Sequence, residues 1–515
     1  MSRLGAQGPS LLLDRTPVHI FGDTLSLGTG IFLLLALGLA LSFEFVNGFH
    51  DTANAVATVI YTHALKPTVA VVWSGCWNLL GVLTSTGAVA FAVLALLPVE
   101  LVMNVGSGAG FAMVFALLIS AIIWNLGTWY LGLPASSSHT LIGSIMGVGL
   151  ANSMLNGGHE FGEGVNWAKA KEVGASLLIS PIIGFVCAAL LLLLAKQLIK
   201  RPELYTAPEK DKPPPPWIRA LLVLTCTGVS FFHGSNDGQK GMGLIMLILV
   251  GILPASFALN PGTDAAETAA LRQQSEAASV VLDQYVNHHA APVLHDYATQ
   301  DLSAYLKTAG KVTEDTYSAL ANKNREITET LGQHGKIADL EPFSRTALRT
   351  QIYLVSETIG KLAKQGLLKD VEQKTELLSY KRSLEVTTKF IPNWVKVMVA
   401  FTLGLGTMIG WKRIVVTVGE KIGKEHLTYA QGASAEIVAM GTIGLADYFG
   451  LPVSTTHVLS SGVAGTMAAN HSGLQMGTLR NLLLAWVLTL PVCVLLGAGT
   501  FAAGLFVVLN VFGVH

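Results

Sequence analysis

Residues 132–140 read Gly-Leu-Pro-Ala-Ser-Ser-Ser-His-Thr, and residues 450–458 read Gly-Leu-Pro-Val-Ser-Thr-Thr-His-Val. Gly, Leu, Pro and His hold the same places in both, and hydroxyl residues fill the same gap. A second matched pair precedes them. Residues 47–54 read Asn-Gly-Phe-His-Asp-Thr-Ala-Asn, and residues 233–240 read His-Gly-Ser-Asn-Asp-Gly-Gln-Lys, with Gly and Asp at one offset. The order is the same each time, so the chain reads as a duplicated unit. Asp51 and Ser137 are 86 residues apart, Asp237 and Thr455 are 218 apart, and the difference is 132. A polar stretch of that size, Ala255–Phe390, lies inside the second half and is rich in Glu, Lys, Gln, Ala and Leu. Within it Val355, Ile359 and Leu362 fall at i, i+4 and i+7, one face of a helix. The spacing predicts a soluble helical insertion whose first-half counterpart is the short loop Tyr61–Pro67.

Around these motifs the chain is apolar. Of its 515 residues 51% are hydrophobic and 13% charged, against about 25% charged in soluble domains. Leu25–Val46, Val69–Leu97, Phe111–Tyr130, Val173–Ala195 and Leu482–Leu509 are long enough to cross a bilayer as helices. Ile142–Met154, Ala220–Phe232, Met242–Leu253, Val395–Ile409 and Ile437–Leu445 are shorter or broken by Gly and polar residues. Backbone groups in lipid must be satisfied internally, and no ten-residue alternation speaks for a barrel, so the segments are read as helices. The expectation is an all-α, polytopic membrane protein: two inverted repeats containing broken or re-entrant helices, plus the soluble insertion. Its expected division is an N-terminal segment over 1–24, a first membrane repeat over 25–199 and a basic Pro-rich linker over 200–217. The second repeat begins over 218–254, is interrupted by the insertion over 255–390 and resumes over 391–515. Leu11–Leu13 is too short for a signal-peptide core, so the first spanning helix is expected to act as an uncleaved signal.

Charge orients the halves. Lys196–Arg219 carries six basic residues against three acids, which places it in the cytoplasm. Loop Pro98–Gly110 has no Lys or Arg, while its counterpart Trp411–Thr428 has Lys412, Arg413, Lys421 and Lys424. Opposite bias in matching loops is what inversion predicts, and inverted repeats hold substrate near the bilayer midplane. On that count the insertion faces outward; Lys381, Arg382 and Lys389 near its end pull the other way. A net charge of zero gives no case for nucleic acid. Cys76, Cys187, Cys226 and Cys493 lie in apolar runs without a CxxC, and are read as helix-packing residues.

Ionisable groups at membrane depth cost at least about 2.5–3.5 kcal/mol and tend to be functional. Asp51 and Asp237 are such groups, each with Gly three residues before it. Those glycines would let the helix unwind and free carbonyls for a cation. Carboxylate, carbonyl and hydroxyl oxygens form a hard-ligand set suited to sodium or to exchange with protons. In the Gly-Leu-Pro runs, Pro is expected to end one helix and the hydroxyls to cap the next. A helix N-terminus with free N–H groups is an anion site, and two meeting from opposite sides would grip a tetrahedral oxyanion. His139 and His457 would orient a hydroxyl, shuttle a proton or complete a buried network; His50 and His233 are weaker candidates. Lys240 either pairs with Asp237 on one helical face or meets the anion as a point charge. Glu44, Asn125 and Glu436 are further polar residues at membrane depth without an assigned part.

The run from Asn47 to Ile60 resembles the signature of the inorganic phosphate transporter (Pit) family, and His233–Gly241 is similar to its second copy. The Gly-Leu-Pro runs match as well, and the resemblance covers both membrane halves. The insertion, Gly404–Lys412 and Val453–Gly465 resemble the bacterial low-affinity branch of enterobacterial type. The resemblance implies phosphate import, as a neutral complex with a divalent metal such as Mg, driven by protons; sodium serves some relatives. It implies no permanently bound cofactor, arsenate as a competitor, and residence in the bacterial inner membrane, with the lipid bilayer and a homodimer as further partners. The positions carried over are Asp51, Asn54, Ser136, Ser137, Ser138, His139, Thr140, Asn236, Asp237, Ser454, Thr455, Thr456 and His457. Asn47, Gln239 and Lys240 complete the candidate set, with Asp51 and Asp237 as cation ligands. Gln239-Lys240-Gly241 stands where the first half has Ala53-Asn54-Ala55, which speaks against two equal sodium sites.

Other classes fit less well. A hydrolase built on Ser138, His139 and an Asp lacks a nucleophile elbow, and the run is duplicated. There is no Walker A motif for ATP drive. Symport of another oxyanion such as sulfate, sodium-coupled rather than proton-coupled phosphate symport, and a phosphate sensor with the insertion as its signalling module are the remaining alternatives.

Overall fold

A computed structural model describes residues 17–21, 23–51, 53–97, 107–155, 162, 165–209, 212–286, 295–306 and 310–510. The described chain opens on an antiparallel hairpin, β1 (Pro17–Ile20) and β2 (Asp23–Ser26), with Pro17 opposite Ser26. This short ladder departs from the all-α expectation; among the described residues everything beyond it is helical or irregular apart from one isolated bridge, Gly423 to Leu474.

The first half comprises α1 (Leu27–Asp51), α2 (Ala53–Tyr61), α3 (Pro67–Thr84), α4 (Ala88–Leu94), α5 (Gly108–Tyr130), α6 (Ser137–Leu155) and α7 (Trp167–Leu198). The second begins with α8 (Pro216–Ile252) and a single turn, α9 (Pro254–Phe257). There follow α10 (Ala265–Tyr285), α11 (His295–Leu306), α12 (Glu314–Gln333), α13 (Pro342–Lys364) and α14 (Val371–Thr388). It ends with α15 (Asn393–Met408), α16 (Lys412–Glu420), α17 (Tyr429–Tyr448), α18 (Thr455–Ala469) and α19 (Met476–Asn510). Among the described residues six stretches are long and apolar enough to cross a membrane: α1 with α2, α3, α5, most of α7, α8 and most of α19. A seventh arises if α14 and α15, bent by 73° at their junction, count as one. The run Val69–Leu97 is not one span, because the chain turns at Gly87, φ 90°, between α3 and α4. Most of the Lys/Arg-free loop Pro98–Gly110 lies outside the described residues.

Exposed apolar side chains run along α7 and α19, including Leu178, Ile182, Leu190, Val487 and Leu495. Outward faces of this kind suit lipid. Cys76 and Cys187 lie on such outward faces rather than in packed contacts as expected, while Cys226 and Cys493 are buried. Inside, one apolar core gathers residues of α1, α4, α5 and the end of α8. A second gathers residues of α2, α16, α17 and α18. The described polar side chains of the four sequence motifs form a buried polar layer.

Packing in the membrane part is reciprocal. α6 lies along α19 and α18 along α7; α1 packs on α15 and α8 on α3. Glycines make the second set of crossings. A Cβ on Gly81 would sit 2.0 Å from the Phe231 carbonyl oxygen, and one on Gly406 2.2 Å from that of Phe45. A Cβ on Gly234 would sit 2.1 Å from the Asn78 carbonyl oxygen, and one on Gly48 2.4 Å from that of Leu403. Backbones this close admit no side chain, the way small residues join membrane helices. Helices α10–α14 bury their own core, in which Val355, Ile359 and Leu362 lie inward as their spacing predicts.

Candidate functional site

The two Gly-Leu-Pro runs fold identically. Gly132 and Gly450 adopt φ of 67° and 65°, the left-handed conformation that closes a helix. Leu133 N–H then donates to the Thr128 carbonyl at 2.9 Å, and Leu451 N–H to that of Ala446 at 2.8 Å. Glycine, not the expected proline, therefore ends α5 and α17; Pro134 and Pro452 follow in extended chain. The next helices start on hydroxyl caps, as expected. Ser136 Oγ accepts the His139 N–H and Ser454 Oγ accepts the His457 N–H, each at 3.2 Å. The two starts meet. Ser138 Oγ donates to the Val453 carbonyl at 3.0 Å, and the rings of His139 and His457 are 4.8 Å apart. Both N-termini thus bring free N–H groups and positive dipole ends to one buried place.

Asp51 faces them. Ser137 Oγ donates to one of its oxygens at 3.0 Å and Thr456 Oγ1 to the other at 2.5 Å. Its neighbour His50 has Nδ1 3.3 Å from the carboxylate and Nε2 3.1 Å from Thr128 Oγ1. Asp237 comes close from α8: Ser137 Oγ is 3.4 Å from its Oδ2, and Lys240 Nζ is 2.9 Å from its Oδ1. The pairing alternative for Lys240 is therefore the one found. His233 Nε2 sits between the two acids, 3.5 Å from Asp237 and 3.9 Å from Asp51. Ligand atoms of Asp51, His233 and Asp237 lie within 4.8 Å of one another, close enough to share a cation. Asp51 is 2% exposed and Asp237 1%.

Not every candidate joins this cluster. Gln239 Nε2 donates to the Ser235 carbonyl at 2.7 Å and to Asp447 at 2.6 Å, while its Oε1 accepts the Val89 N–H at 2.9 Å. Asn236 Nδ2 donates to the Leu451 carbonyl at 3.1 Å. Thr140 Oγ1 donates within its own helix, to Ser136 O at 2.9 Å. Asn47 and Thr455 are buried in the polar layer, and the side chain of Asn54 lies outside the described residues. The unwinding expected around Asp237 does not occur. α8 runs unbroken through the motif, because Gly234, Gly238 and Gly241 serve contact with Asn78, Val82 and Glu44. Around Asp51 the described chain is helical up to Asp51 and again from Ala53.

Three contributors carried no signal strong enough to single them out. Asn78 Oδ1 is 2.8 Å from His233 Nδ1 and its Nδ2 donates to Thr407 at 3.2 Å. Thr128 anchors His50, and Asp447 receives Ser235 and Gln239. A lone amide inside an apolar run was the available clue for Asn78. The Ser138 hydroxyl, spent on a carbonyl, is no nucleophile aimed by His139.

Hydroxyls and helix starts suit an oxyanion, and the carboxylate pair suits a cation beside it. The chain is 43% identical over 503 residues to the low-affinity inorganic phosphate transporter PitA of Escherichia coli (strain K12), covering 94% of this chain and 98% of that one. It is 27% identical over 469 residues to a probable low-affinity inorganic phosphate transporter of Bacillus subtilis (strain 168), covering 91% and 96%. These relatives are named as transporters, a non-enzyme function. A solved structure described as the sodium-dependent phosphate transporter shares the fold at a TM-score of 0.50 and 20% identity, covering 92% of this chain and 98% of that one. The model of the phosphate transporter family, PHO4, matches residues 47–497, a range that holds all four motifs, and the chain belongs to that family.

Proposed function

We propose that the protein imports inorganic phosphate across a bacterial inner membrane, as a neutral complex with a divalent metal and in symport with protons. The observation that carries this reading is the meeting of two hydroxyl-capped helix starts beside Asp51, His233 and Asp237. Phosphate would be held by N–H groups and hydroxyls of α6 and α18, its metal and proton by the carboxylate side. Charge supports the pairing. With the histidines neutral, Asp51, Asp237 and Lys240 sum to one net negative charge, or two if Glu44 is ionised. A neutral metal–phosphate complex adds none, so the charge left over calls for coupled protons, and neutrality lowers the cost of burial.

The sequence halves act as inverted repeats in this reading, with residues 255–390 as a soluble domain outside the bilayer. The buried cluster corresponds to an occluded stage of alternating access. Arsenate would compete, having the same shape and charge.

The test is radiolabelled phosphate uptake into proteoliposomes under an imposed proton or sodium gradient, with and without magnesium. Uptake that follows protons and needs the metal supports the proposal. Uptake that follows sodium alone keeps the substrate but makes Asp51 a sodium ligand. No uptake under any gradient moves the chain to the sensor class.

A further inference from the structure

Away from the phosphate cluster, one more carboxylate is wholly buried without a cationic partner. Glu436 lies in the first half of α17 at 0% exposure. Thr58 of α2 donates to its Oε1 and Thr225 of α8 to its Oε2, both in short hydrogen bonds. α17 packs against α2, α4, α7, α8, α18 and the turn Pro202–Tyr205. The titratable group facing Glu436 from these elements is the Cys226 thiol of α8. The others are engaged elsewhere. His233, Asp237 and Lys240 form the cluster above, and Asp447 holds Ser235 and Gln239. Arg219 donates to the Ala64 carbonyl, Tyr205 to Ala195 and Ile199, and His457 stacks on Trp486. Among the described residues no basic side chain pairs with Glu436.

We infer that Glu436 is a proton-binding site separate from the phosphate cluster, loaded and emptied once per transport cycle. An ionised carboxylate buried with only hydroxyl donors lacks a counter-charge, and a proton supplies it. The threonines accommodate both states. When Glu436 is ionised, both donate to it. When it is protonated, its O–H donates to Thr225 Oγ1, whose own hydrogen turns to the Leu222 carbonyl 3.0 Å away. That second acceptor makes the site a two-state switch rather than a fixed cap.

The position gives the proton leverage. Thr58 follows Asp51 on the same chain segment, and Thr225 shares α8 with Asp237. α17 leads directly through Gly450-Leu451-Pro452 to the hydroxyl start of α18. One carboxylate therefore ties together the three segments that carry both aspartates and one anion-binding helix start. Its protonation alters those ties without touching phosphate.

The inference rests on the chain being a phosphate carrier, and the test keeps the two apart. Wild-type protein and Glu436→Gln are reconstituted in proteoliposomes. Radiolabelled phosphate is followed as exchange against internal phosphate and as accumulation driven by an imposed pH gradient. The same two proteins are compared by infrared spectroscopy across a pH series for the C=O band of a buried carboxylic acid. Expected is exchange retained within twofold, gradient-driven accumulation reduced at least tenfold, and a pH-dependent acid band in the wild type that the variant lacks. Accumulation by the variant within twofold of wild type overturns the inference, as does an acid band unchanged by the substitution. If the variant loses exchange as well, Thr225→Val decides: it keeps the carboxyl but removes the switch, and an unshifted titration of the acid band in it overturns the inference. A wild type that moves no phosphate refutes the carrier reading, while the infrared titration still decides the proton site.

Discussion

Asp51 and Asp237 occupy the same place in two copies of one motif, yet they are kept in opposite ways. Asp51 is held by hydroxyls from both helix starts and by a neighbouring histidine. Asp237 is held by a lysine one turn further along its own helix. The frames match down to the glycine three residues earlier, which in each copy touches the backbone of a helix from the other half. What differs is the partner set. Asp237 has a lysine on its own helix, whereas Asp51 has hydroxyls and the histidines His50 and His233. Duplication thus set the geometry, and the change from Asn54 to Lys240 divided the labour.

The largest test of that division is Asp51→Asn. Phosphate uptake should fall to the level of empty vesicles while the detergent unfolding midpoint stays near the wild-type value; a large drop in midpoint would make Asp51 structural. Next comes Lys240→Met, which strands a buried carboxylate and should cost about 3–5 kcal/mol of stability. Adding Asp237→Asn to it should restore most of that loss, and failure to do so would deny that the two form one buried pair. Ser137→Ala removes a donor to a charged group, about 1.5–3 kcal/mol. The half-saturation concentration for phosphate should then rise roughly tenfold or more, and an unchanged value would reduce Ser137 to a cap. The smallest effect belongs to the flanks of the motifs. Phe49 meets Trp129 ring to ring at 5.1 Å, where the second copy has Ser235 donating to Asp447 at 2.6 Å. Asp447→Asn should cost about 1 kcal/mol, seen as a small shift in unfolding midpoint, and no shift would deny that contact any part in stability.

The features legible in the sequence are those written in neighbouring residues. Hydroxyls at a helix start and apolar periodicity in residues 355–362 each act over one turn, so they can be read without tertiary knowledge. The helix ends at Gly132 and Gly450 show the limit: proline drew attention, but the backbone conformation that closes the helix needs glycine. The unbroken course of α8 was not legible, because glycine serves unwinding and close packing alike and only the partner helix decides. Nor were Asn78 and Glu436. Asn78 meets His233 from 155 residues away and Glu436 meets Thr58 from 378 away. A single polar residue in an apolar helix signals a partner without naming it.

The reciprocal seating of α6 on α19 and α18 on α7 has a mechanical meaning. Each hydroxyl-capped helix start is carried on a long helix from the opposite half of the chain. Whatever swings to open the site toward one side must take a short helix together with its borrowed support. In the proposed alternating-access cycle the moving bodies would therefore be mosaics drawn from both halves of the polypeptide.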